Sequence, residues 1–584
     1  RGLVELEAAA SAVEESAGRI LFDVWVDWAV APDNQMTGCF EFPAALLRAH
    51  RVKFRSAVPV GEFGSSWVCI QRASQDRRSM VWAGHGAVVH AAFRDDDDET
   101  EVVVDNDDVD QWLDMGASLL RVKFVLIAES SDPAPEPGNH MLEIIPKALA
   151  ESCMARAFAE LPEAPLAQAI VLSSNPLPSL PPLPPVEDLS VWVMNDSQHD
   201  AVSQALAKPF AIIQGPPGSG KTRTTAVLSV LMMRRNLGFG ENCAILFCAP
   251  TNRAVDCAAS FVARLCAENS HNILRSRLHR DGHECAICLR PAPGVVTTCS
   301  HVFHKECLEQ ALKASRQCPI CRRHIKHAHS GLRILRIYGA DAEKQEFPVP
   351  RKNEHPNVES RKACHVPEEL RRFTLHWRCH GAVEGEAPSP EALATRKAYR
   401  EMLQHGAKGP RADALRSAYY LALKEARAVE IRDADIIFTT CCSCRRAAVA
   451  EALARPGAPE IRQVVIDEAG QATEPEALCP LTLAKRAWQV CLVGDHQQLR
   501  PILKSRQAEA AGLGASLFER LAVAGFAGEG LAPHFLAWQY RMHPQISRFP
   551  SSHFYGGRLQ DDPSSVLRRP PGLLGYPPRA SGDG

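Results

Sequence analysis

The stretch that most constrains this chain is an octapeptide, Gly215-Pro216-Pro217-Gly218-Ser219-Gly220-Lys221-Thr222. The apolar run Phe210-Ala211-Ile212-Ile213 precedes it, and Thr224 to Arg235, of helical composition, follows it and ends near Gly238. Strand, glycine-rich loop and helix in that order make a phosphate-binding loop. Gly215, Gly218 and Gly220 let the backbone turn its N–H groups inward around a polyphosphate, at the positive end of a helix dipole. Lys221 would reach the β- and γ-phosphates while the Thr222 hydroxyl ligates magnesium. With Ser219 in the turn, the loop is built to hold a nucleoside triphosphate.

At 584 residues the chain exceeds what one core serves, and three or four domains are expected. Its 46% hydrophobic and 23% charged residues are those of globular protein. Net charge is only −2, but it is unevenly spread: Asp95 to Asp98 is acidic, whereas Arg275 to Arg333 and Arg351 to Arg432 are rich in Lys and Arg. That asymmetry fits one region facing nucleic acid, with solvated charge as the alternative. Six of the 20 cysteines fall in one short cluster, which favours a metal site in a reducing, cytoplasmic and/or nuclear setting over a disulfide framework. No apolar run reaches the length of a membrane span, so no membrane partner is expected.

Residues 1 to about 140 read as strand: Phe22, Val24, Val26, Trp28 and Val30 recur at period two, and Val81 to Phe93, Val102 to Val104 and Leu119 to Ile127 are further β-like runs. A small barrel or sandwich is expected, then a helix from about Met141 to Leu161. The acidic stretch Asp95 to Asp110 reads as a solvated loop, since nothing fixes a metal geometry there. Pro176 to Pro185 must be extended and reads as a stiff spacer, making 141–190 a helical stalk and linker.

Ala244 to Cys248, Ala434 to Phe438, Val464 to Ile466 and Val490 to Val493 are short apolar runs that meet polar residues at their C-terminal ends. Strands buried on both faces of a parallel sheet look like this, and ligands bind at their C-terminal edge. The α/β fold so implied is interrupted, because Lys221 and the acidic pair Asp467-Glu468 are 246 positions apart (467 − 221).

The interruption holds Cys285-x2-Cys288-x10-Cys299-x-His301-x2-His304-x2-Cys307-x10-Cys318-x2-Cys321, eight ligands that fill two closed, structural zinc sites. Metal binding would supply much of the folding free energy of so short a segment. The pattern resembles a RING finger with two central histidines. That resemblance implies a cross-brace, with Cys285, Cys288, His304 and Cys307 on one zinc and Cys299, His301, Cys318 and Cys321 on the other. It also implies a ubiquitin-conjugating enzyme as partner, docked on Ile287 and Pro319, with Arg322 holding the conjugated ubiquitin. A protein-interaction module without ligase activity is the alternative. Farther on, Cys364-His365 and Cys379-His380 fit no common metal spacing, and residues 388–432 read as helix.

Past the insert, Val464 to Ile466 deliver Asp467 and Glu468 to the sheet edge. Asp467 would complete the magnesium shell opposite Thr222, and Glu468 would polarise the attacking water. Gln498, after the Val490 strand, is able to sense the γ-phosphate, and Arg541 in Gln539-Tyr540-Arg541-Met542-His543-Pro544 could stabilise charge on the transferred group.

Asn195-x2-Gln198, the phosphate loop, Ala249-Pro250-Thr251-Asn252-x-Ala254-Val255-Asp256, Asp467 to Glu476, Gly494-Asp495-x2-Gln498-Leu499-x-Pro501, Ser516 to Leu521 and Gln539 to Phe554 closely resemble superfamily 1 helicases of the up-frameshift type, the group centred on nonsense-mediated decay. The resemblance implies a RecA-like motor of 191–270 and 430–530. The β-rich domain 1–140 would precede it. A RING finger of 280–325 and a helical part of 326–429 would be inserted in it, and 531–584 would begin a truncated second RecA-like domain. It further implies ATP and magnesium as cofactors, beside the two zinc ions of the insert, and movement 5′ to 3′ on single-stranded nucleic acid, with RNA favoured. Gln198 would read adenine, Tyr540 would stack on it, and Pro250, Thr251 and Thr439 would lie near the nucleic-acid backbone. The family's later motifs, a glutamine-rich loop and an arginine-bearing helix, have no counterpart before Gly584. A ubiquitin ligase or scaffold whose nucleotide-binding domain is an RNA-binding adaptor therefore stands as the alternative.

Overall fold

The computed structural model describes residues 21–30, 36–43, 67–73, 80–95, 98–103, 119–129, 138–145, 149–173, 177–182, 189, 192–239, 242–268, 285–290, 295–296, 302–304, 307–308, 310–311, 319–320, 333–349, 366–384, 388–405, 410–503, 506–524 and 532–567. The chain divides into two compact units, one of Arg1–Ala159 with Ile502–Gly514 and one of Glu160–Pro501 with Ala515–Gly584.

The first unit is an antiparallel sheet of β1 (Leu21–Val30), β2 (Met36–Pro43), β3 (Trp67–Ala73), β4 (Met80–Asp95), β5 (Asp98–Val103), β6 (Leu119–Glu129) and β7 (Gly138–Ile145). Their order is β3-β7-β1-β2-β6-β4-β5, and an extra β3–β4 pairing closes six of them into a ring, with β5 hanging from β4. A closed ring has no free edge to pair with another chain. Alternation along β1 buries Val24 and Val26 and leaves Trp25 exposed; Phe40, Ile70, Val122 and Phe124 join the barrel interior.

The helix expected from Met141 is one point of difference. Residues 138–145 are strand, and the helix, α1 (Leu149–Glu160), begins later. β7 bonds to β1 on one side and β3 on the other, so the ring needs it extended, and pairing overrides local preference. Ala508 and Leu513, from the segment that returns to this unit, are buried with Met154 and Phe158 of the α1 region packed against them.

The second unit is built on a seven-stranded parallel sheet: β8 (Phe210–Gln214), β9 (Cys243–Ala249), β12 (Ile334–Arg336), β13 (Ile436–Thr440), β14 (Glu460–Ile466), β15 (Gln489–Gly494) and β16 (His534–Phe535), in the order β12-β13-β9-β14-β15-β8-β16. The two short strands β10 (Val295–Val296) and β11 (Val302–Phe303) form a hairpin in the insert. Every residue of β8, β9 and β15 is buried. This is why these runs show no alternation: helices cover the sheet, and both faces are core. Its longer helices up to β16 are α2 (Asp196–Ala207), α3 (Lys221–Phe239), α4 (Asn252–Glu268), α5 (Pro390–His405), α6 (Pro410–Arg432), α7 (Glu474–Leu483) and α8 (Leu517–Ala524). Ile213, Val227, Leu231, Phe247, Val262, Phe438, Val465 and Val493 share one core cluster. Among the described residues no helix is long and apolar enough to cross a membrane.

The stretch expected as the helical part of the insert contains β12, which pairs with β13 at the sheet edge. Arg336 fastens it there. This guanidinium is fully buried; its Nε donates to Asp256 Oδ1 at 2.7 Å and its Nη2 to Asn252 Oδ1 at 2.9 Å, both on α4, and it lies 3.8 Å over the Tyr338 ring. A buried cation persists only with partners of this kind. Beyond β16 the chain pairs β17 (Trp538–Gln539) with β18 (Gln560–Asp561) around α9 (Pro544–Phe554), so residues 534–535, expected in a second domain, extend the first sheet instead.

A Cβ added at Gly38 in β2 would lie 2.1 Å from the Phe124 ring. Gly38→Ala should therefore destabilise the barrel by about 1–3 kcal/mol, read as a lower denaturant midpoint for the full chain.

Candidate functional site

All seven strands of the main sheet run the same way, so the loops after β8, β9, β14 and β15 share one edge. At that edge β8 passes into the phosphate loop and α3. Gly218 and Gly220 hold φ of +78° and +82°, which side-chain-bearing residues rarely adopt. At Gly215 the limit is space, since a Cβ would fall 2.1 Å from Lys221 Cγ.

The loop's carbonyls are claimed by donors from several parts of the chain. Gly215 O accepts from Lys221 Nζ at 2.9 Å and from Gln498 Nε2 at 3.3 Å. Ser219 O accepts from Gln198 Nε2 at 3.0 Å, and Gly218 O from the Tyr540 N–H at 2.9 Å. The Ser219 hydroxyl donates back to Pro216 O, tightening the turn. Lys221 Nζ also lies 3.9 Å from Glu468 Oε1. Arg541 is exposed, with its own Cβ 2.5 Å from where a Gly218 Cβ would stand. Lys221, Glu468, Gln498 and Arg541 are thus brought to one loop, from β8, β14, β15 and the segment beyond β16.

Asp467 directly follows β14 and is 2% exposed. Burial, then the adjacent Glu468 charge, push its carboxyl up to about 7; Lys221 and the Glu468 N–H, 3.0 Å from Oδ1, pull the other way. Glu468 sits in the left-handed region, φ 51° and ψ 37°, a conformation that costs a non-glycine residue roughly 1–2 kcal/mol. Two crowded carboxylates, one of them buried, beside a phosphate loop suit a divalent cation, which would relieve both charges. Asp467 and Thr222, the latter in the first turn of α3, could hold it.

Gln198 and Tyr540 are placed differently from an open base-reading pair. Gln198 is buried, and it accepts from the Asn195 N–H at 3.2 Å while its amide serves Ser219, so it braces the loop against the start of α2. The Tyr540 hydroxyl accepts from Asn195 Nδ2 at 2.7 Å. Thr251 is exposed and caps α4 through its hydroxyl, whereas Thr439 is fully buried inside β13. Gln539 folds the Tyr540–Met542 turn, accepting from the N–H groups of Arg541 and Met542 and donating to Met542 O and Asp561.

Asp495 was passed over in sequence as part of a motif without a role. It is buried, and its Oδ1 accepts from Gln214 Nε2 at 3.1 Å while Oδ2 accepts from Gln498 Nε2 at 2.6 Å and the Tyr555 hydroxyl at 2.7 Å. Nothing in the order of residues announces Tyr555.

In the insert, Cys285, Cys288, His304 and Cys307 lie with their ligand atoms all within 4.8 Å of one another. A tetrahedral zinc with three sulfur ligands needs ligand separations of about 3.8 Å, so this set fits the metal. Cys288 Sγ is 3.1 Å from His304 Nδ1, and the His304 N–H donates to Cys285 Sγ at 3.2 Å. Burial opposes ionisation of Cys285, but the N–H groups of Cys288, His304 and Ile287 outweigh it and hold the thiol at about 6. Burial and the neighbouring thiols push Cys307 up. Cys299, His301, Cys318, Cys321 and Arg322 lie outside the described residues. Ile287 is exposed, as are Leu289, two residues on, and Ile320. Cys379 and His380 are core: His380 stacks on Phe347 at 3.8 Å.

Residues 193–506 and 513–576 match family models described as AAA domains, the first covering more than half of the chain. The chain belongs to this P-loop family, within the up-frameshift-type superfamily 1 helicases. Human "3'-5' exoribonuclease HELZ2" is 29% identical over 98% of this chain and 18% of its own length. "Regulator of nonsense transcripts 1 homolog" of Arabidopsis thaliana is 31% identical over 65% of the chain and 21% of its own, and "ATP-dependent helicase upf1" of Schizosaccharomyces pombe 31% over 63% and 28%. The chain therefore spans well under a third of these relatives.

Gly218→Ala would force a strained φ and strike Arg541. Nucleotide affinity should fall about tenfold, some 1.4 kcal/mol, in a titration with a fluorescent ATP analogue.

Proposed function

We propose that the chain is an ATP-dependent nucleic-acid helicase or translocase acting on RNA, and that its insert is a RING finger binding two zinc ions and a ubiquitin-conjugating enzyme. The observation that carries the motor reading is the meeting of Lys221, Glu468, Gln498 and Arg541 at one phosphate loop. Thr222 and Asp467 would hold magnesium, which would supply Lewis-acid chemistry at the phosphate oxygens. Lys221 exchanges the Gly215 carbonyl for phosphate oxygen, which frees Glu468 to orient the attacking water. Gln498 senses the γ-position, and the exposed Arg541 answers the charge that grows on the transferred group. Closure and release around this cleft alter the grip on the strand, whose affinity comes from phosphate contacts and falls with salt. RNA is favoured because the relatives carry ribonuclease and transcript-regulator names. The reading places the protein in the cytoplasm and/or nucleus.

The RING reading is supported by the four-ligand cluster in the pairing the cross-brace requires, with Ile287 and Pro319 exposed to a partner. Its second site draws on Cys299, His301, Cys318 and Cys321.

Oligo-uridine should stimulate ATP hydrolysis by the wild-type chain, and Lys221→Ala or Glu468→Gln should reduce turnover about 100-fold or more. Hydrolysis indifferent to single strands, or unchanged in Glu468→Gln, would remove the motor reading and leave the adaptor. Separately, native mass spectrometry should find two zinc ions, and Cys285→Ala should lose one of them and abolish autoubiquitination with an activated conjugating enzyme.

A further inference from the structure

Residues 538–561 form a self-braced piece. β17 pairs with β18, and Asp561 Oδ1 accepts from Gln539 Nε2 at 2.6 Å and from Ser547 Oγ at 2.5 Å. One end presents Tyr540 and Arg541 to the phosphate loop. The other end is Tyr555, whose place is set by the close of α9: its N–H and that of Gly557 both reach Ser551 O, and Gly556 and Gly557 take φ of +58° and +74°. Tyr555 is 3% exposed, and the ring lies 5.9 Å from that of Phe535 on β16. A hydroxyl this buried needs a partner, and it has one in Asp495 Oδ2 at 2.7 Å. That same oxygen accepts from Gln498 Nε2, which also reaches Gly215 O of the loop.

We propose that Tyr555 is a positioning residue for nucleotide hydrolysis: through Asp495 it fixes the Gln498 amide and ties that amide to the segment that carries Arg541. The proposal rests on the motor reading above and extends it to a residue outside the recognised motifs. Asp495 Oδ1 is held by Gln214 and by the Gln497 N–H at 3.2 Å, so two donors on each oxygen set the carboxylate plane. Loss of the Tyr555 bond leaves Oδ2 to the Gln498 amide, so the carboxylate can tilt about its two Oδ1 bonds and the amide bonded to it moves too. A misplacement of the order of an ångström at a reacting group is enough to slow chemistry about 100-fold while leaving ground-state binding intact. Because the braces make 538–561 one piece, displacement of Arg541 from the loop carries Tyr555 with it, and the two phosphate-facing groups are set together.

The test compares Tyr555→Phe with Ser551→Ala in the full chain. Ser551→Ala loosens the same helix end, by losing a bond to Leu559 O at 2.9 Å, without touching Asp495. Oligo-uridine-stimulated kcat should fall at least tenfold in Tyr555→Phe, with KM for ATP and affinity for a fluorescent ADP analogue within twofold of wild type. Ser551→Ala should keep kcat. Should Tyr555→Phe not fold, Asp495→Asn, which puts a donor where two acceptors are needed, must show the same split. An unchanged kcat, a joint loss of kcat and affinity, or an equal loss in Ser551→Ala overturns the proposal. If the wild-type chain hydrolyses no ATP, the motor reading falls and this proposal with it; a normal wild type beside a normal Tyr555→Phe removes the proposal alone.

Discussion

The backbone carbonyls of one loop hold this site together. A loop that turns its N–H groups inward around an anion turns carbonyls outward, and buried carbonyls must find donors. Lys221, Gln498, Gln198 and the Tyr540 N–H are those donors. Each comes from a different element, so the bonds that satisfy the loop also assemble the groups around it. Gly494 O receives the Gly215 N–H at 2.9 Å, which locks the loop to the end of β15, and Asp495 follows immediately. The glycines matter for the same reason: side chains at 215 or 218 would occupy space that Lys221 and Arg541 use.

Much of this was legible in sequence because its signals are local. Strand, loop and helix around Lys221 came from composition and glycine placement, and β9, β13, β14 and β15 from apolar runs whose lack of alternation reports burial on both faces. The barrel's alternation in β1 was equally plain. What escaped depends on contacts between distant segments. β7 looked helical from Met141 because only the gap between β1 and β3 makes it a strand. β12 was hidden in a span of helical composition, and its place at the sheet edge is secured by Arg336 reaching Asp256 and Asn252. The link from Tyr555 to Asp495 crosses 60 positions and has no periodic trace. Gln198, for which the resemblance implies adenine reading, in addition braces the loop through two bonds that only the folded chain shows.

The insert obeys a different logic. Among its described residues Cys285, Phe303 and Leu308 are buried, and the ligand cluster brings four side chains from separate turns together, so a bound metal would add cohesion there. The chain then returns through β12 to the edge of the main sheet. Arg336 there contacts the first turns of α4, whose cap, Thr251, is exposed. An insertion that departs after α4 and re-enters at the sheet edge through β12 leaves the strands from β13 to β8 in unbroken order, which is where the phosphate loop and the acidic pair reside.

Hydrogen–deuterium exchange with and without magnesium and a non-hydrolysable ATP analogue tests the convergence most directly. The account predicts that nucleotide slows exchange together in four segments remote in sequence, 215–222, 467–471, 495–499 and 539–542. Slowing confined to 215–222, with the other three unchanged at saturating nucleotide, would contradict it.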